Sequence, residues 1–123
     1  MKIKPFIAYI LLILAIYGCS SGLTIANIGI PGGAKDASTR DIGNNKQLVY
    51  MTSGNMSESC DAQTKLITAA NWKTEGSPSV ETTYQSSTFS DGTATLTLMC
   101  SEERDGGNLV GTKVTMTLQG ASK

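Results

Sequence analysis

The residues of this 123-residue chain that could do chemistry are three cysteines and ten carboxylates, with no histidine at all. Without histidine, nucleophile activation of the Ser–His–Asp type has no base, and the commonest transition-metal ligand is missing. Cys19, Cys60 and Cys100 show no C-x-x-C spacing, so neither a zinc site nor a dithiol redox centre is written in them. General acid–base work would have to rest on paired carboxylates. The densest group is Glu102, Glu103 and Asp105 beside Gly106-Gly107, which could offer oxygen ligands to calcium. It lacks EF-hand spacing and contains Arg104, so a solvated hairpin loop is the better reading. Glu75 and Glu81 fall in turns or strand ends, and no P-loop, dinucleotide fingerprint or nucleophile elbow occurs. These absences point away from an enzyme, with no cofactor or metal site expected and a small hydrolase the weakest reading. The ten acidic side chains are balanced by ten basic ones that do not cluster, which argues against nucleic acid as a partner.

The strongest signal lies at the amino end. Lys2 and Lys4 precede Phe6–Tyr17, an uncharged and almost wholly apolar run of twelve residues. A membrane-spanning helix needs roughly 20 residues, whereas this length suits the hydrophobic region of a signal peptide. Ile16, Tyr17, Gly18 and Cys19 follow in the order aliphatic, variable, small, cysteine, and then come Ser20, Ser21 and Gly22. In these four residues the chain resembles the bacterial lipoprotein family, with Tyr17 a bulkier occupant of the variable place than usual. The resemblance implies that residues 1–18 are a signal peptide, cut before Cys19. It also implies that a diacylglyceryl group joins the Cys19 sulfur and that the new amino terminus is acylated. Two or three acyl chains anchor a protein stably in a lipid bilayer, at about 0.8 kcal/mol per buried methylene. By the family's sorting habit Ser20 favours the outer membrane. The alternative is an ordinary cleaved signal peptide that leaves Cys19 as a free or paired thiol.

With Cys19 assigned to lipid, Cys60 and Cys100 remain as an even pair in an oxidising compartment, and a disulfide between them is expected. It would close a loop of about forty residues and stabilise the domain by roughly 4 kcal/mol. A metal or redox pair is the competing reading. Loss of residues 1–18 would also leave eight basic against ten acidic side chains, a mildly acidic surface.

Residues 19–46 are rich in Ser, Gly, Asn and Ala around Pro31-Gly32-Gly33, and are expected to form the lipidated amino terminus and a flexible tether. Such a stretch reaches roughly 30 Å. Leu23, Ile25, Ile28 and Ile30 interrupt its polarity, as an incidental strand, a segment resting on the membrane, or a motif that orders on a partner. Residues 47–123 are expected to be one small α+β domain. Leu48–Thr52 has the composition of a buried strand. A helix from Glu58 to Asn71 would have Ser57 as N-cap and a stripe of Ala62, Leu66, Ala69 and Ala70 flanked by Cys60 and Ile67.

Glu75–Ser79 is a turn cluster, Val80–Ser90 a polar strand, and Asp91-Gly92 a two-residue hairpin turn that would set Phe89 opposite Ala94. Beyond it Ala94, Leu96, Leu98 and Cys100 alternate with Thr93, Thr95, Thr97 and Met99. After a Gly-rich loop at 102–108, Val114, Met116 and Leu118 alternate with Thr115 and Thr117. The expected architecture is β-α-β-β-β: a small antiparallel sheet of about four strands, one helix on one face, and the disulfide between them. The threonine rows would lie on the other face as ordinary solvent-facing strand residues or as a hydroxyl surface for sugars or a partner. Trp72 and Tyr84 are candidates for stacking a ligand, and Asn55-Met56-Ser57 matches a glycosylation sequon that a bacterial lipoprotein would not use. The functional expectation is a small envelope lipoprotein acting as a non-catalytic binding or assembly module with an envelope protein partner. Its domain would face the periplasm or the cell surface. The alternative is an immunity-type lipoprotein that caps a toxin or a wall hydrolase in the periplasm.

Overall fold

Alternation with a period of two builds a larger sheet than the apolar pattern alone announces. The computed structural model describes residues 23–120. They form β1 (Lys35–Ile42), β2 (Asn45–Thr52), α1 (Met56–Ala69), β3 (Lys73–Val80), β4 (Tyr84–Ser90), β5 (Thr95–Asp105) and β6 (Asn108–Gln119). All pairings are antiparallel, in the order β1-β2-β6-β5-β4-β3. The β1–β2 hairpin thus docks on the last strand of a β3–β6 meander. The α+β class with one helix holds, but the sheet has six strands where about four are expected from sequence.

Both extra strands are edges. β1 (KDASTRDI) and β3 (KTEGSPSV) are almost wholly exposed and carry no apolar alternation, because the helix packs over β4, β5 and β6 and buries little of either edge. Pro78, Gly76 (φ 70°) and a break in register between Glu75 and Ser79 roughen β3, and charges line β1, which discourages edge-to-edge association. The Glu75–Ser79 cluster is therefore part of a strand rather than a turn.

The expected tether is also corrected from Leu23 onward. A two-residue turn at Ala26-Asn27, both at positive φ, pairs Ile25 with Ile28 through two backbone hydrogen bonds. Both isoleucines are buried in the core, with Leu23 and Ile30 packed against it. The aliphatic patch is a structural plug: α1 packs over β4, β5 and β6, and the 23–34 segment joins it in the same core beside Leu48 and Tyr50 of β2.

Four local corrections follow from hydrogen bonding, burial and register. Asn55, not Ser57, caps α1, its Oδ1 accepting from the Glu58 N–H at 2.8 Å. The buried face of α1 runs through Ser59, Cys60, Gln63 and Ile67, while Ala69 is exposed, so the helix is rotated from the alanine stripe. The β4–β5 turn sits one residue later than expected, on Gly92-Thr93, and Phe89 lies opposite Leu96 rather than Ala94. That displaces the register by two residues, which leaves every side chain on its expected face. The 102–108 loop shrinks to Gly106-Gly107, both at positive φ as a tight hairpin requires.

Candidate functional site

One face of the sheet is spent on the core. Leu48 and Tyr50 of β2, Phe89 of β4, Leu96, Leu98 and Cys100 of β5, and Val114, Met116 and Leu118 of β6 are all buried on it. Cys100 is bridged to Cys60 in the first turns of α1, with their Cα atoms 5.9 Å apart. The staple therefore ties the helix to the central sheet at the place the alternation marks for it. The third cysteine, Cys19, lies outside the described residues.

Gln63 is the buried group that sequence reasoning passed over. It is fully buried, its Oε1 accepts the Tyr50 O–H at 2.6 Å, and its Nε2 donates to the Gly29 carbonyl at 2.9 Å. One amide thus joins helix, sheet and amino-terminal segment, with both of its ends paired as burial demands. Burial also pushes the Tyr50 phenol well above its usual pKa, because a phenolate there would lose its water. The signal for Gln63 was its position, four residues after Ser59 and four before Ile67 on one helical face.

The carboxylates do not converge. Glu102 is paired with Arg104 at 2.9 Å on the β5–β6 hairpin, and Arg104 also donates to the Gly107 carbonyl. Among the described residues no three metal-ligating side chains come together. Asp91 Oδ1 accepts from the Thr93 N–H, the Ala94 N–H and the Thr93 hydroxyl at 2.8–3.0 Å. These bonds, the two backbone donors first, hold its carboxyl below the usual pKa. Beside this turn lies a cleft of about 360 Å³ against Trp72, Ala26 and Leu118. The Asp91 Oδ1 at its rim is committed to the turn. Trp72 is buried below the start of β5, whereas Tyr84 pairs with Ser101 at the far end of β4, so the two aromatics form no stacking pair. The sequon asparagine is the helix cap.

Comparison with family models, with curated proteins and with solved structures found no match to this chain. Its own surfaces therefore carry the functional reading.

The second face of the sheet has nothing laid over it among the described residues. Registers place Arg40, Gln47, Thr117, Thr97, Thr88 and Glu75 in one row across all six strands. Gln47 accepts from Arg40 Nε at 3.2 Å and donates to Thr117 at 3.3 Å, so the row is partly knit by its own hydrogen bonds. The next row is Ser38, Val49, Thr115, Met99, Ser86 and Ser79. Of the expected threonines, 95, 97, 115 and 117 stand on this face and are half-buried by their neighbours, while Thr93 belongs to the turn. The arrangement is a hydroxyl and amide lattice backed by a stapled core, which can present hydrogen-bonding groups at fixed spacing to another surface.

Proposed function

We propose that this chain is a lipid-anchored, non-catalytic binding module of a bacterial cell envelope, held to the bilayer through Cys19 and engaging an envelope partner with its folded domain. The Cys60–Cys100 bridge carries the reading. It is the chemistry of an oxidising compartment. It occupies both cysteines of the folded region, and the chain's third cysteine stands in the segment Ile16-Tyr17-Gly18-Cys19 that resembles a lipoprotein processing site. A rigid domain with one lattice-like face and no convergent acid–base pair among the described residues fits recognition rather than turnover. Outer-membrane placement, from Ser20, belongs to the same proposal.

The fold shortens the expected leash. Because Leu23 already packs against the core, Cys19 stands no more than four residue steps from it, a reach of at most ~14 Å. The domain would then stay close to the lipid headgroups, where anchoring raises its effective concentration for a membrane-associated partner. Replacing Cys19 with Ala tests the reading by fractionation. The wild-type protein should sediment with membranes and the variant should appear in the soluble fraction with its disulfide intact. A variant that remains in the membrane fraction would remove the lipid from the account.

A further inference from the structure

The charge of the domain is divided between the two faces of its sheet. Residues 23–120 carry seven basic and ten acidic side chains. Four of the seven, Lys35, Arg40, Lys73 and Lys113, occupy register positions on the open face. All four are exposed. Two carboxylates share that face, Glu75 and, one step beyond Ser101, Glu103. The rest of the domain is correspondingly acidic, with three basic residues against eight. Lys35 and Lys113 flank Met51 in a third row that continues through Ser101 to Tyr84.

We propose that this open face is a docking surface for an extended anionic glycan, a polysaccharide bearing carboxylate groups. Its place in the cell rests on the envelope reading, but the binding does not. Between the cations the face presents ten Ser and Thr hydroxyls, among them Thr88, Thr97 and Thr117 in one row. Hydroxyls both donate and accept, so they match a sugar's own hydroxyls. The hydroxyls and cations run across all six strands, which lie about 4.8 Å apart, an extent that follows an elongated polymer rather than one small molecule. Carboxylates on that polymer complement the marginal lysines and arginine.

A protein partner fits less well. Protein interfaces centre on buried aromatic or Arg anchors, whereas here Met99 and Val49 stand among the central threonines and the one aromatic, Tyr84, lies at the margin.

The test uses the protein extracted from its membranes in neutral detergent, with polygalacturonate as the probe. Dextran serves as the neutral polymer, polyglutamate as the acidic polypeptide and phosphatidylglycerol vesicles as the anionic membrane. Saturable, salt-sensitive binding to polygalacturonate that exceeds binding to the other three is expected. The pair K35Q/K113Q should weaken it about tenfold, near the 1.4 kcal/mol that one decade represents. The helix-side pair K46Q/K65Q, with the same loss of charge, should leave it unchanged. Retained disulfide and unaltered circular dichroism establish that both variants are folded. Absence of polygalacturonate binding, equal loss in both pairs, or preference for polyglutamate or vesicles would overturn the proposal. Loss of membrane anchorage in cells with glycan binding intact would instead count against the lipid reading alone.

Discussion

The same strands make two surfaces of opposite character. On the inner face Leu96, Leu98, Val114 and Met116 are inaccessible to water, and a disulfide and a fully paired glutamine lock the helix over them. One residue away along the chain, Thr95, Thr97, Thr115 and Thr117 stand on a face that no other element covers among the described residues. Period-two geometry makes this separation complete, since a residue can serve only one face. Stability and the proposed recognition would therefore draw on different side chains, so that each could be altered with little effect on the other.

That separation can be broken most severely at the staple. Replacing Cys60 and Cys100 together by Ala should lower unfolding free energy by about 4 kcal/mol for the loop they close. Urea midpoints measure this loss, and glycan binding by whatever fraction remains folded should be preserved. Gln63→Leu removes partners from the Tyr50 hydroxyl and the Gly29 carbonyl and should cost about 2 kcal/mol in the same assay.

Alkaline titration sharpens the comparison further. The folded pKa of Tyr50 is raised, so its contribution is complete below the unfolded value near ~10 and lost as pH rises beyond it. Stability should fall in that alkaline window, and Tyr50→Phe should flatten the fall. The smallest change belongs to the open face. Thr97→Val should alter stability by no more than about 0.5 kcal/mol, and a thermal melt displaced as far as that of Gln63→Leu would show the faces to be coupled.

The sequence makes the inner face legible because burial writes a period. Leu96, Leu98 and Cys100, then Val114, Met116 and Leu118, announce their strands and their common layer, and the helix follows from its own spacing. Edge strands leave no such mark: the residues of β1 and β3 look like linker and turn because they bury almost nothing. Ile25 and Ile28 are visible as apolar residues, but only the tertiary fold shows that their turn fills the space beside α1. Gln63 is hidden for the opposite reason, a polar side chain in the middle of an apolar face, legible only once Tyr50 and Gly29 stand beside it. The open face is half legible. Its threonine rows are in the alternation, whereas the gathering of Lys35, Arg40, Lys73 and Lys113 around them needs the six-strand register.

The anchor is the claim on which the cellular account turns, and intact mass of the protein extracted from membranes tests it most directly. A chain beginning at Cys19 and heavier than its polypeptide by a diacylglyceryl group and an amide-linked acyl chain is the predicted result. A mass equal to the bare polypeptide, or one that retains residues 1–18, would contradict it.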